Sequence, residues 1–324
     1  MYIDRSGAEA LMPEDYQREI VESVPAYSTV MTYGYRAADM TRAQRRIPCL
    51  ANLPTAYFSN PGPLSVDDDE KFKRTSKVSW EDKYIDAEEL NVIIPIPEAV
   101  LNDADYDIWG QIKPKILESF GVAFDSAVFY GTRAPQIWPD PIVTSCQAAG
   151  NYVTLGSLGD IYDDIMGVNG VIAKVEEDGF MVNGHVCAMT MRSRLRGLRD
   201  NDGNPVFKAL AKEGVQGKTN YMLDGEQCIF PKNGVMDNTQ TNLISGDWTQ
   251  LMYAIRQDLT YKILTEATIQ DPDTGDIVYN LAQQNFVALR ACMRLGWQVP
   301  NPINRLNQDE DTRYPFAVLV PQGS

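Results

Sequence analysis

The chain is 324 residues long, 44% hydrophobic and 23% charged, which is enough apolar material for a packed core and excludes disorder over most of its length. Its 44 acidic and 29 basic residues leave a formal net charge of −15, without the concentrated Lys and Arg that gripping phosphates requires; tight basic clusters occur only at 42–46 and 192–199. No apolar run of about 18 residues could span a bilayer and no secretory pattern opens the chain, so a cytosolic, membrane-free protein is expected.

Residues 1 to about 46 read as an arm with one amphipathic stretch, in which 26–35, rich in Tyr, Thr, Val and Met, is expected to be extended. IPCLANLPTAYF (47–58) is a proline-punctuated strand candidate. In SNPGPLSVDDDEKFKRTSKVS (59–79), Pro61, Gly62 and Pro63 break regular structure, and the acidic block from Asp67 adjoins Lys71, Lys73, Arg74 and Lys77. Such a segment cannot build its own core. It is expected to be an exposed loop, or a hairpin ordered only against neighbouring chains.

From Trp80 onward Tyr84, Ile85, Leu90, Val92, Ile93 and Ile94 mark a strand that Pro95 and Pro97 are expected to stop. Trp109, Ile112, Ile116, Phe120, Ala123 and Ala127 recur every three or four residues, which predicts a long helix over 106–130 closed by Gly131. Pro114 lies inside it and predicts a kink, because proline lacks the amide donor and crowds the preceding turn. Beyond a proline-rich loop, the pattern predicts a helix over 158–176, a strand over 183–191 and a short basic helix over 192–199. DNDGNPVF (200–207) is a turn, 221–230 and 243–269 are strand-like, DPDTGD (271–276) marks a hairpin, and 285–302 finishes extended.

Catalytic and metal chemistry find little support. His185, the single histidine, shares a strand face with Cys187, yet a closed zinc site needs about four ligands. The five cysteines (Cys49, Cys146, Cys187, Cys228, Cys292) show no CxxC spacing and are expected to be free thiols. DNDGN and DPDTGD lack the spacing of a calcium loop, and no nucleotide or GxSxG motif occurs. Neighbouring carboxylates such as Glu88 with Glu89, or Asp163 with Asp164, read as solvated faces. No catalytic residue, cofactor or metal is expected.

Three stretches in order carry a resemblance: WEDKYIDAEELNVIIPIPEAVLNDAD (80–105) running on to FDSAVFYGT (124–132), then RSRLRGLRDNDGNPVF (192–207), then NFVALRACMRLGWQVPNPINRL (285–306). Each motif is soft, but their order over about 50–306 resembles the major capsid proteins of tailed double-stranded DNA phages, the Hong Kong 97-like family. The resemblance implies an α+β fold. Residues 1–50 would be the N-terminal arm, and 51–80 the extended loop with its flanking strands. Residues 81–149 would begin a peripheral domain containing the spine helix 106–130. An axial domain would occupy 150–254, and 255–324 would be the peripheral return and C-terminal segment.

By the same resemblance the chain would be a non-enzymatic structural protein of the virion, assembled in the bacterial host cytoplasm. Hexamers and pentamers would form an icosahedral head enclosing double-stranded DNA without sequence-specific binding. A separate scaffolding protein, a portal and decoration proteins are the implied partners. Asp67, Asp68, Lys71, Phe72, Lys73, Arg74, Lys77 and Trp80 become candidates for inter-subunit contact, and Pro114 the kink of the spine helix. The chain departs from relatives that carry a coiled-coil scaffolding segment, since its first fifty residues show no heptad pattern. Loop lysines are present, but no matching Asn and catalytic Glu can be assigned, so cross-linking is not expected. Two other readings remain: an encapsulin-like nanocompartment shell of the same fold, and an acidic soluble enzyme such as a glycoside hydrolase.

Overall fold

In a computed structural model the described residues are 27–56, 75–103, 108–198, 209–211, 219–271 and 274–322. In chain order the elements are α1 (Thr29–Tyr33), β1 (Tyr35–Arg36), β2 (Gln44–Leu50), β3 (Trp80–Asp86), β4 (Glu88–Pro97), α2 (Glu98–Asp103) and α3 (Ile108–Tyr130). Next come α4 (Ile142–Ala149), β5 (Tyr152–Thr154), α5 (Ile161–Met166), α6 (Val171–Glu177), β6 (Gly184–Cys187), α7 (Met191–Gly197), β7 (Ala209–Ala211), β8 (Thr219–Leu223) and β9 (Glu226–Ile229). The chain ends with β10 (Leu243–Gly246), β11 (Met252–Leu264), β12 (Thr268–Gln270), β13 (Ile277–Asn280), α8 (Leu281–Gln284), β14 (Phe286–Gln298) and β15 (Phe316–Val320).

The fold is a mixed α+β arrangement built on two sheets. Four strands are ordered β1-β11-β14-β4, and seven are ordered β5-β15-β10-β6-β9-β8-β7. The first sheet rests on the antiparallel ladder between β11 and β14, which runs from Met252 opposite Gln298 to Leu264 opposite Ala288. β4 then pairs with β14 from Leu295 opposite Glu88 to Phe286 opposite Pro97. Pro95 therefore does not stop this strand, which ends at Pro97, where α2 begins. β4 is the outer strand of its sheet, where a missing amide can face away from the ladder.

Helix α3 follows the predicted span closely and contains Pro114. Its apolar face, Ile116, Leu117, Phe120, Phe124 and Val128, is buried in a core that both sheets share. At the junction Trp248 stacks on Tyr33 with centroids 5.2 Å apart and meets Phe316 edge-on at 5.1 Å. Its indole Nε1 donates to the Gly184 carbonyl at 3.0 Å, so the ring is buried without an orphaned donor. Burying each such aromatic contributes about 1.5–3 kcal/mol.

Several local expectations change. The helix predicted over 158–176 is two helices, α5 and α6, parted at Gly167 and Gly170, with Asn169 at φ 66° between them. The extended segment predicted over 26–35 is instead mostly α1. Ser28 sits at its N-cap and accepts from the Met31 amide, an alternative that short hydroxyl side chains offer the backbone. The 183–191 strand shortens to β6, and the basic helix is α7. The DPDTGD hairpin is present as β12 and β13, whereas the 200–207 turn lies outside the described residues. β15, which no sequence pattern marked, lies between β5 and β10 with all five residues buried, so the chain end returns to the second sheet.

β3 reaches the first sheet by crossing β14 at Gly296, where an added Cβ would collide with the Asp86 carbonyl. Gly296→Ala should therefore destabilise the fold by about 1–3 kcal/mol, the usual range for overpacking a closed site. Gly197→Ala meets nothing within 4 Å and should leave the denaturation midpoint unchanged or raised. Chemical denaturation of the two variants beside the parent checks both.

Candidate assembly surfaces

Strands β2 and β3 form a separate antiparallel hairpin, from Gln44 opposite Asp86 to Leu50 opposite Trp80. Seven paired residues span about 24 Å at 3.4 Å each. The two legs continue together beyond the strands, with the Ala51 amide on the Ser79 carbonyl and the Thr55 amide on Ser76 Oγ, both at 2.9 Å. At the base Ile85 is fully buried among Ala37, Met40, Ala87 and Ala254. Apolar groups are left to solvent both near the base, where Tyr84 is 40% exposed, and toward the far end, where Trp80 is 65% exposed and Val78 46%. A two-stranded hairpin is marginal by itself, so its direction depends on what holds its base.

Two contacts hold the base, one meets the middle of the hairpin and one lies beyond the far end of its strands. Trp138 Nε1 donates to the Asp86 carbonyl at 3.0 Å, and Gln298 Nε2 to the Tyr84 carbonyl at 3.0 Å. Lys83 Nζ meets Glu310 Oε1 at 2.5 Å and Glu81 Oε1 at 3.5 Å. Arg305 donates to the Pro54 carbonyl at 2.7 Å. Burial opposes the charge on Lys83, yet hydrogen bonding and attraction from Glu310 and Glu81 hold its pKa above the ordinary lysine value.

The segment supplying Glu310 and Arg305 is itself anchored. Arg313 is 3% exposed and donates to Asn301 Oδ1 and to the carbonyls of Asn301 and Asn307 at 2.9–3.2 Å. Asp178 accepts from Asn151 at 2.6 Å, Asn307 at 2.8 Å and the Tyr314 amide at 2.9 Å. These bonds tie the hairpin's support to α6 and the start of β15.

A second surface joins the arm to α3. Asp125 is fully buried and caps α1 from outside its own helix, accepting from Ser28 Oγ at 2.5 Å, the Thr29 amide at 2.6 Å and the Val30 amide at 3.2 Å. Burial pushes its carboxyl up to about 7, although all three donors favour the ionised form. Beside this contact, α3 and the outer edge of β4 enclose a groove of about 850 Å3, with Leu90, Val122, Ala123 and Trp138 among its apolar walls and Lys115 and Glu118 among its charged ones. The β12–β13 hairpin is a third exposed feature, with Ile277 63% and Val278 46% exposed.

Of the contact candidates named from the sequence, Lys77 and Trp80 are described, and both are exposed on the same leg of the hairpin. Asp67, Asp68, Lys71, Phe72, Lys73 and Arg74 lie outside the described residues. His185 is buried, its Nδ1 2.8 Å from Ser245 Oγ, and burial pushes it down to about 4, which keeps the ring neutral near pH 7. Among the described residues no group of three His, Cys, Asp or Glu side chains is arranged to hold a metal. Sequence reasoning missed Asp125, Lys83, Glu310, Arg305, Asp178 and Arg313. Asp125 had a signal, being an acid one residue from Phe124 on the apolar side of a long helix. Lys83 and Glu310 are 227 positions apart, and nothing in either neighbourhood marks the pair.

Two outcomes follow for these contacts. Lys83→Glu and Glu310→Lys should each speed proteolysis of the hairpin legs, and the double charge swap should restore resistance, with a coupling of about 0–1 kcal/mol as for a partly exposed pair. For Asp125 the folded pKa of about 7 lies above the unfolded value of 3.8, so the folded state binds the extra proton. Its contribution is present below about pH 4 and is lost as pH rises to 7 and beyond. Thermal melts from pH 4 to 8 should show that decline, and Asp125→Asn should flatten it.

The phage capsid family matches residues 8–304 of the chain. The major capsid protein of Staphylococcus phage 80alpha is 25% identical over 294 residues, covering 90% of this chain and 82% of that protein. A solved structure from Microbacterium phage Oxtober96 is 32% identical with a TM-score of 0.75, covering 99% of this chain and 100% of the other. One from Mycobacterium phage Cain is 26% identical with a TM-score of 0.75, covering 100% of both. With nearly its whole length matched in sequence and in fold, the chain belongs to the phage capsid family.

Proposed function

We propose that the chain is the major capsid subunit of a tailed double-stranded DNA phage, assembling as hexamers and pentamers into an icosahedral head with the Hong Kong 97-like design. The observation that carries this reading is the β2–β3 hairpin: a two-stranded projection tied to the body by a few polar contacts, with Trp80, Val78 and Tyr84 turned to solvent. Within one chain such a surface is a liability; between copies it is a contact. The seven-stranded sheet, including β15, would be the axial domain, and α3 with the four-stranded sheet the peripheral one. Residues 57–74 would complete the extended loop lying over a neighbour, with Lys71, Lys73, Arg74 and Lys77 meeting its acidic surface. Each such ion pair contributes about 0–1 kcal/mol, so they set register while buried apolar groups supply affinity.

On this reading the role is structural, the location is the virion, and DNA is enclosed without sequence-specific contact, in keeping with the net charge of −15. Scaffolding, portal and decoration proteins would be separate chains. Pro114 removes one intrahelical hydrogen bond from α3 and would concentrate its bending as the shell changes size.

Expression in a bacterial host with the matching scaffold, followed by negative-stain microscopy, tests the proposal: hollow icosahedral shells are expected. Trp80→Asp should leave the subunit's melting temperature unchanged and reduce shell yield at least tenfold, since losing a buried tryptophan contact costs more than about 1.4 kcal/mol. Shells filled with one host protein would instead favour a nanocompartment. A small monodisperse species with hydrolytic turnover would contradict the capsid reading.

A further inference from the structure

We propose that Cys187 and Cys228 are an oxidative cross-linking site, which staples β9 to β6 once the protein leaves a reducing environment. The two strands pair in parallel, with His185 opposite Cys228 and Val186 opposite Ile229. Alternate residues of a strand share a face, so Cys187 lies diagonally ahead of Cys228 on one side of the sheet. Their sulfurs are 3.3 Å apart, in direct contact, and both are free thiols. Forty-one positions separate them in the sequence, which is why no motif marks the pair. Cys146, by contrast, donates to the Phe316 carbonyl at 3.2 Å.

The chemistry needs a two-electron oxidant, and a low-molecular-weight disulfide such as oxidised glutathione supplies it. One cysteine loses its proton, attacks the glutathione disulfide and forms a mixed disulfide, releasing one glutathione thiolate. The second cysteine then loses its proton and displaces the other glutathione. Two protein thiols and one glutathione disulfide become one protein disulfide and two glutathione thiols, so the protein is oxidised by two electrons and the glutathione reduced by two.

Three features shape when this happens. Both thiols are buried, at 0% and 3% exposure, so the oxidant enters only when the sheet opens locally. Among the described residues β8 and β7 lie outside β9 in the sheet, so the opening starts from one edge, taking Leu223 and Cys228 out of the shared core with it. Diagonal positions are also wider apart than opposed ones, so the outer strand must shift toward β6 and the bridge will be strained and readily reduced. The pair therefore stays reduced in a cell and closes slowly afterwards. The chemistry rests on the two strands alone, while the timing rests on the capsid reading, in which particles pass from cytoplasm to an oxidising exterior.

Purified chain and assembled particles, both prepared with reductant, are incubated for days in graded mixtures of reduced and oxidised glutathione. They are then denatured in N-ethylmaleimide, digested with trypsin and analysed by mass spectrometry. Oxidising mixtures should lower the alkylated thiols from five to three and yield one linked species joining the Cys187 and Cys228 peptides, reversed by dithiothreitol. Cys187→Ala and Cys228→Ala should each abolish that species, and the wild-type readout stands even where a variant does not fold. Five alkylatable thiols at every mixture, or a linkage joining a different pair, would overturn the proposal. Failure to form particles while the free chain cross-links would count against the capsid reading and leave this one standing.

Discussion

A single strand serving two sheets is the constraint on which the rest of the structure depends. Residues 80–86 pair with β2 and residues 88–97 pair with β14, with Ala87 alone between the two registers. The crossing works because Gly296 lets the Asp86 carbonyl lie against β14, and because Trp138 satisfies that carbonyl. From this point the hairpin leaves the body, and its direction follows from backbone geometry more than from side-chain attraction. Lys83 with Glu310 and Arg305 with Pro54 then trim the angle, on a support locked by Arg313 and Asp178.

This division of labour suits a protein that must meet copies of itself. The shared aromatic core around Trp248 and Phe129 makes one centre, while exposed apolar surface sits where few bonds hold it: the β2–β3 hairpin and the β12–β13 turn. The weak, partly exposed Lys83–Glu310 pair midway along the hairpin tolerates small changes of angle, which one subunit needs if it is to occupy unlike positions in a closed shell. The arm is attached differently. A buried carboxylate receiving three donors is costly to leave half-satisfied, so that junction is expected to stay formed while the hairpin adjusts.

What could be read from the sequence follows physical range. α3 was legible because Ile116, Phe120 and Ala127 repeat at helical spacing and Gly131 closes the helix; β14 and the Asp271–Asp276 turn were legible for similarly local reasons. Pro95 misled while Pro97 ends the strand as expected, since proline's meaning depends on whether its strand is an edge, and edge position is a tertiary fact. The helix predicted over 158–176 runs too long because apolar residues continue at helical spacing across Gly167 and Gly170, where α5 ends and α6 begins. The long-range pairs Lys83 with Glu310 and Cys187 with Cys228 have no local signature, and although Asp125 stands out as an acid on the apolar side of α3, nothing nearby marks Ser28 as its partner. The charged loop stands out by its composition as a candidate contact surface, and of its named residues Lys77 and Trp80 lie among those described.

The central claim is that the hairpin is a surface made for a neighbouring copy. A cryo-electron microscopy map of the assembled particle, at a resolution that shows side chains, tests it most directly through Trp80, which is 65% exposed in the single chain. The expected result is an indole buried against an adjacent subunit in every quasi-equivalent position, with the Lys83–Glu310 pair still formed midway along the hairpin. A particle in which Trp80 stays solvent-exposed, or in which the hairpin folds back on its own subunit, would contradict it.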